Sequence, residues 1–189
     1  MTDADIQFRP VAERAPAIAR GVCRLLASAG CSTVMEMRLP DGRRADIMAM
    51  LPDGTIHIVE IKSGVADFRS DRKWPDYQEF CDALYFAIDL ATPPEIIPDA
   101  VGLIVADGYG AQIARNGMEH RLSAARRKAV TLRFARTAAD RLLAIHDPMC
   151  RSAFRVVQRG ARLARMRCNV RRCMLRRRAV SETLRPHNS

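Results

Sequence analysis

Three charged residues stand inside otherwise apolar runs of this chain: Asp46 in RADIMAM, and Glu60 and Lys62 in IHIVEIK. Burying an unpaired charge costs on the order of several kcal/mol, so these positions need a reason. Two neighbouring carboxylates raise each other's pKa, and a divalent cation removes that conflict. An all-oxygen donor set suits Mg²⁺ or Mn²⁺, which keep several waters and bind substrate phosphates in their remaining positions. A lysine beside such a site can orient an attacking water and steady charge on phosphorus. Two carboxylates and a lysine around a metal are phosphodiester chemistry. The plain alternative is a Glu60–Lys62 ion pair at a strand end, a common surface feature worth about 0–1 kcal/mol. Three features weigh against it: a further acid 14 residues upstream, the strand-turn-strand context and the helix that precedes it; a lysine at this spot in a chain with three lysines and 28 arginines points the same way.

These residues need a scaffold that brings them to one face. Side chains alternate along a strand, so Glu60 and Lys62 share a face and Ile61 takes the other. Asp46 shares its face with Met48 and Met50. A Pro-Asp-Gly turn at Pro52 to Gly54 closes the two runs into a hairpin, and the register decides whether Asp46 reaches Glu60. Ahead of them, Ala15, Ile18, Ala19, Val22, Leu25, Leu26 and Ala29 recur at three-four spacing, which predicts an amphipathic helix from Arg14 to Ala29 ending at Gly30. Thr33 to Arg38, Ala45 to Leu51 and Thr55 to Lys62 then read as a three-strand meander.

After Lys62, SGVADFRSDRK reads as an exposed loop, and Pro75 with Asp76 and Glu79 predicts a short helix starting near Trp74. ALYFAI (83–88) and VGLIVA (101–106) read as strands buried on both faces, with 111–115 a weaker strand. A second long helix is expected from Ser123 to Ile145, its apolar side formed by Ala125, Ala129, Leu132, Ala135, Ala139, Leu142 and Leu143. Arg126, Arg127, Lys128, Arg133 and Arg136 on its other side are either a solvated face or a phosphate-contacting one.

With 48% hydrophobic residues in 189, the chain has material for one domain with a core. Its net charge of +10 is unevenly placed. Residues 151–189 hold 12 of the 31 basic and 1 of the 21 acidic residues, which leaves 19 and 20 before them. The expected division is a domain over 1–147 and an Arg-rich, disordered extension over 148–189. Six cysteines at 23, 31, 81, 150, 168 and 173 have no zinc-site spacing and read as thiols in a reducing cytoplasm. The first residues lack an apolar signal region, and no run is long enough to span a bilayer. Cytoplasmic localisation is the expectation. A membrane-surface role for the tail finds no support in 1–147.

The order helix, strand, strand with Asp46, strand ending in Glu60-Ile61-Lys62, helix, strand resembles the PD-(D/E)XK nuclease superfamily, with Ala45 in place of the usual proline. More narrowly, MEMRLPDGRRADIMAMLPDGTIHIVEIKSG, KWPDYQEFCDALYFAI and RKAVTLRFARTAADRL resemble the MmcB-type DNA repair proteins over about residues 10–147. The resemblance implies an α/β, restriction-endonuclease-like mixed central sheet flanked by helices, with an α-β-β-β-α-β core. It implies a metal-dependent DNA endonuclease acting in repair and damage-induced mutagenesis, with DNA and other repair proteins as partners and no membrane. The alternative is a catalytically inactive DNA-binding or adaptor module on the same fold. In this resemblance Asp46 and Glu60 ligate Mg²⁺ or Mn²⁺, the Ile61 carbonyl adds a ligand and Lys62 is the catalytic lysine. Glu36 is either an outer acidic group or an edge-strand charge. Trp74, Tyr77 and Gln78 lie where such nucleases position substrate, with Trp74 and Tyr77 read first as core-facing aromatics and second as base-stacking or phosphate contacts. Arg126, Arg127 and Arg133 are the further candidate DNA contacts.

Overall fold

In the computed structural model, which describes residues 11–70 and 74–149, six strands form one sheet in sequence order. They are β1 (Ser32–Arg38), β2 (Arg44–Met50), β3 (Ile56–Lys62), β4 (Ala83–Ile88), β5 (Gly102–Ala106) and β6 (Ala111–Arg115). The meander β1-β2-β3 and the final pair β5-β6 are antiparallel, while β3-β4 and β4-β5 run parallel. The tight turns after β1 and β2 both use Pro-Asp-Gly, with Gly42 at φ 95° and Gly54 at φ 84°. A positive φ costs glycine little and other residues more, which is why each turn carries one there.

Helix α1 (Val11–Ser28) covers one face of the sheet. Its Ile18, Ala19, Val22 and Leu26 pack on Ile47, Ala49, Val59, Ala83, Tyr85, Ala87, Ile104 and Ala106. The helix stops in a Schellman arrangement around Gly30, with Cys31 N–H donating to the Leu26 carbonyl (2.9 Å) and Gly30 N–H to that of Ala27 (3.0 Å). Among the described residues, Cys23, Cys31 and Cys81 are free thiols.

The opposite face is covered by three shorter elements and a long helix. Helix α2 (Val65–Ser70) lies where the sequence suggested only an exposed loop, and the short helix expected to start near Trp74 is a 3-10 helix, Trp74–Phe80. Phe68 explains α2, because its ring must leave water and meets Phe86 edge-on at 5.4 Å. Tyr77 and Phe80 are buried from the 3-10 segment, and a second 3-10 turn, Pro94–Ile96, precedes buried Ile97.

Helix α3 (Ala124–His146) corrects the expected apolar side. Val130, Phe134 and Ala144 are the buried positions, whereas Leu132 is 55% exposed and Ala125, Ala129 and Ala135 are exposed as well. The cause is an anchor that periodicity cannot see. Arg127 is tied to buried Asp82 by two hydrogen bonds, at 2.8 and 2.6 Å, and donates to the Gly54 carbonyl at 2.9 Å. Positions 127, 130, 134 and 138 share one side of a helix, so fixing Arg127 turns Val130 and Phe134 onto the sheet. The chain divides into two compact units, Met1–Ala138 and Ala139–Ser189. In the second, residues 139–149 are described, and they include the last turns of α3. The Arg-rich extension read from residue 148 onward lies outside the described residues apart from Pro148 and Met149.

Candidate functional site

Strands β1 and β2 both lose their alternation at the same level. Val34 and Met37 on β1, and Ala45 and Met48 on β2, all belong to one core. Residues three apart cannot share a face of a regular strand. The ladder pairs Met35 with Ile47 and Met37 with Ala45, and between those pairs lie Glu36 and Asp46. Glu36 has φ 51°, the sole non-glycine left-handed backbone among the described residues. Such a conformation costs on the order of 1 kcal/mol or more and is characteristic of functional positions.

The break places Asp46 at a fork. The β2-β3 ladder ends at Ile47 opposite Val59, and the next two residues are joined through their side chains. The Asp46 N–H donates to Glu60 Oε1 at 3.2 Å, and the Ile61 N–H donates to Asp46 Oδ2 at 2.9 Å. Each carboxylate thus closes a backbone donor of the opposite strand, where a regular ladder would have used a carbonyl. Glu60 is 4% and Lys62 5% exposed. Glu60 pairs with Phe86 and Lys62 with Ile88 across the parallel β3-β4 ladder. The Lys62 ammonium lies 5.5 Å from the Phe86 ring centroid, within cation–π range. Phe86 also meets Phe68 and Trp74 edge-on, so one ring backs the lysine and fixes the wall behind it.

Burial pushes the Asp46 carboxyl above its ordinary range. The Ile61 N–H and the Lys62 and Arg44 charges pull it back, while Glu36 adds to the rise. The Glu36, Arg44 and Lys62 charges thus all bear on this one carboxylate. The donor set fits a hard divalent cation: Asp46 and Glu60 supply carboxylate oxygens on adjacent strands. Among the described residues no group of three His, Cys, Asp or Glu converges, so water, backbone or substrate oxygens would complete a coordination sphere.

The other sequence candidates separate into groups. Glu36 pairs with Arg44 beside Asp46. Tyr77 is buried, its hydroxyl donating to the Arg44 carbonyl at 3.2 Å, and Trp74 packs against Phe86. Both rings serve the core. Gln78 offers its carbonyl to the His120 ring at 2.9 Å. Arg126 donates to the Glu79 carbonyl and carboxylate, each at 3.1 Å, and Arg127 is committed to Asp82. Arg133 reaches β1, donating to the Arg38 carbonyl at 3.2 Å. Sequence reasoning missed Arg38, Arg44 and Phe86. An all-apolar β4 singles out none of its residues, and only the parallel register puts Phe86 beside Glu60.

At the opposite end of β3, a cleft of about 870 Å³ opens between the β2-β3 turn, residues 119–122 and the start of α3. Half-buried His57 lines it, and burial pulls this imidazole below its ordinary pKa despite nearby Asp82.

A six-stranded mixed sheet flanked by helices is a restriction-endonuclease-like α/β architecture. The model of the MmcB-like family, described as DNA repair protein MmcB-like, matches residues 3–149. The chain belongs to the MmcB-like DNA repair protein family. A solved structure of a protein of unknown function from Silicibacter pomeroyi is similar, with 41% identity over 75% of this chain and 95% of that one, and a TM-score of 0.69. No curated protein matches the chain. No helix among the described residues is long and apolar enough to cross a membrane.

Proposed function

We propose that this protein is a metal-dependent endodeoxyribonuclease acting in DNA repair. The observation that carries this reading is the mutual bonding of Asp46 and Glu60 across the fork, with Lys62 on the same face of β3 as Glu60. Asp46 and Glu60 would hold Mg²⁺ or Mn²⁺, which when bound stabilises negative charge developing on the phosphate. The backbone donors at Asp46 and Ile61 hold both carboxylates in place before substrate arrives, so little ordering remains at the moment of reaction. Lys62, backed by Phe86 and shielded from bulk water, is suited to orient the attacking water and to donate to a phosphate oxygen. The test is incubation of the full chain with nicked, flapped, branched and single-stranded DNA in Mg²⁺ or Mn²⁺. Cleavage is expected, with loss in Asp46→Asn and in Lys62→Ala; cleavage unchanged in both variants removes the assignment.

One observation favours a second reading, a DNA-binding or adaptor module without catalysis. Each carboxylate already closes a backbone N–H, so the pair has a structural use without any metal. Salt-dependent DNA binding that survives Lys62→Ala, with no cleavage under any condition, would favour it.

A further inference from the structure

Beside the acidic pair, the β1-β2 hairpin carries a line of arginines. Arg38 and Arg44 are direct cross-strand partners at the end of the ladder, so their side chains leave the same face of the hairpin. Both are exposed. Like charges placed opposite each other are destabilising by a few tenths of a kcal/mol or about that, and an edge free of function would avoid the arrangement. On one side the line continues to exposed Arg133 of α3, whose guanidinium donates to the Arg38 carbonyl. On the other side it ends at the site, because Arg44 pairs with Glu36 and its charge acts on Asp46. Arg44 is also held from behind, its carbonyl accepting from the buried Tyr77 hydroxyl.

We infer that Arg133, Arg38 and Arg44 form a track for the phosphodiester backbone of DNA that leads a strand to the Asp46–Glu60–Lys62 site, with Glu36 holding Arg44 in place until a phosphate takes over. Guanidinium groups suit this use, since their planar fork matches phosphate oxygens and stays charged at any working pH. The strained backbone of Glu36 fits the same role: it lifts this one carboxylate out of the pleat at the level of Asp46, where it meets Arg44. The inference rests on the DNA reading of the site and specifies where the strand lies. That place is the hairpin end of the sheet, away from Arg126 and Arg127, which are occupied by Glu79 and Asp82.

The test measures binding, without divalent metal, of the full chain to a fluorescent duplex oligonucleotide over a salt series. Arg38→Ala, Arg44→Ala and Arg133→Ala are each expected to lower the slope of log K against log salt by about 0.9, the contribution of one phosphate contact. Arg44→Lys should restore most of the slope, and Glu36→Gln should tighten binding. Arg20→Ala, on exposed α1 surface, removes the same charge elsewhere and should leave the slope unchanged. Equal losses in Arg20→Ala and Arg44→Ala would reduce the effect to net charge and overturn the track. So would unchanged slopes in all three track variants with wild-type melting temperatures, wild-type protein that binds no DNA, or polyglutamate competing as well as DNA. Cleavage is read separately: a chain that shows the slopes but never cuts keeps the track and loses the nuclease, and one that cuts normally in all three track variants keeps the nuclease and loses the track.

Discussion

Asp46 and Glu60 stitch β2 to β3 beyond the end of their ladder, the Asp46 N–H donating to the Glu60 carboxylate while the Asp46 carboxylate accepts from the next residue of β3, Ile61. Side chains here do the work of backbone carbonyls, and the strands part at the point where a ligand could enter.

The first prediction concerns metal binding apart from activity. Mg²⁺ or Mn²⁺ should raise the melting temperature of the wild-type chain, since a ligand at 100 times its Kd stabilises the folded state by about 2.7 kcal/mol. Asp46→Asn and Glu60→Gln keep an oxygen to accept the same N–H groups and should stay folded, yet lose most of this metal-induced shift. Differential scanning calorimetry with and without metal reads both quantities.

Lys62 offers a complementary test. Removing one member of a buried group of opposite charges leaves the others uncompensated and costs about 3–5 kcal/mol. Lys62→Met takes away the cation that acts on the Asp46 carboxylate and should therefore lower stability by about that amount, while lowering cleavage by roughly 10²–10⁴-fold, the range for losing a positioned proton-handling group. Denaturant unfolding and a nick-detection assay on one preparation separate the two effects.

Asp82 should be the acid-sensitive joint of the fold. It is 4% exposed and accepts from the Ile56 N–H, the Leu122 N–H and Arg127. Burial pushes its carboxyl up, but these donors and the Arg127 charge outweigh that and set it below the ordinary range. A depressed carboxylate contributes stability that is complete above its unfolded pKa, about 3.9, and is lost as pH falls through the lower folded value. Stability should drop below about pH 4 in the wild type and much less steeply in Asp82→Asn. Asp82→Ala, which strands three donors, should cost about 3 kcal/mol at neutral pH.

The orientation of α3 can be checked by two substitutions two residues apart. Phe134→Ala removes a buried ring and should cost about 3–5 kcal/mol. Leu132→Ala changes an exposed side chain and should stay within about 0.5 kcal/mol of wild type. Similar losses at both positions would contradict the orientation described here.

A last prediction tests the seat of α1. A Cβ on Gly21 would stand 2.3 Å from the carbonyl oxygens of Asp107 and of Gly110. Arg24 of the same helix donates to the Gly108 and Tyr109 carbonyls at 3.0 Å, which holds the helix to that loop. Backbone atoms cannot swing aside as a flexible side chain would, so Gly21→Ala should destabilise by about 1–3 kcal/mol, read as a lowered urea midpoint.

Much of this molecule was settled by local signals. The alternation and turn glycines of residues 32–62 define the meander, because a period of two and a positive φ are properties of a few adjacent residues. The charges at Asp46, Glu60 and Lys62 marked the candidate site, because an ionised group in an apolar strand is expensive wherever that strand packs. What local pattern could not supply was rotation, register and company. The periodicity of α3 favoured its alanines and leucines, but the tie from Arg127 to Asp82, 45 residues away in sequence, turns Val130 and Phe134 inward. Trp74 and Tyr77, readable as core aromatics first and as substrate contacts second, are taken by the core. The break in alternation at Glu36 and Asp46 arises only when β1 and β2 are paired, and Arg38 faces Arg44 only through the same pairing. Sequence alone determined which groups could carry chemistry, since that depends on residue type and nearest neighbours. Tertiary structure decided which of them meet, because contacts between distant residues are fixed by packing that no short stretch contains.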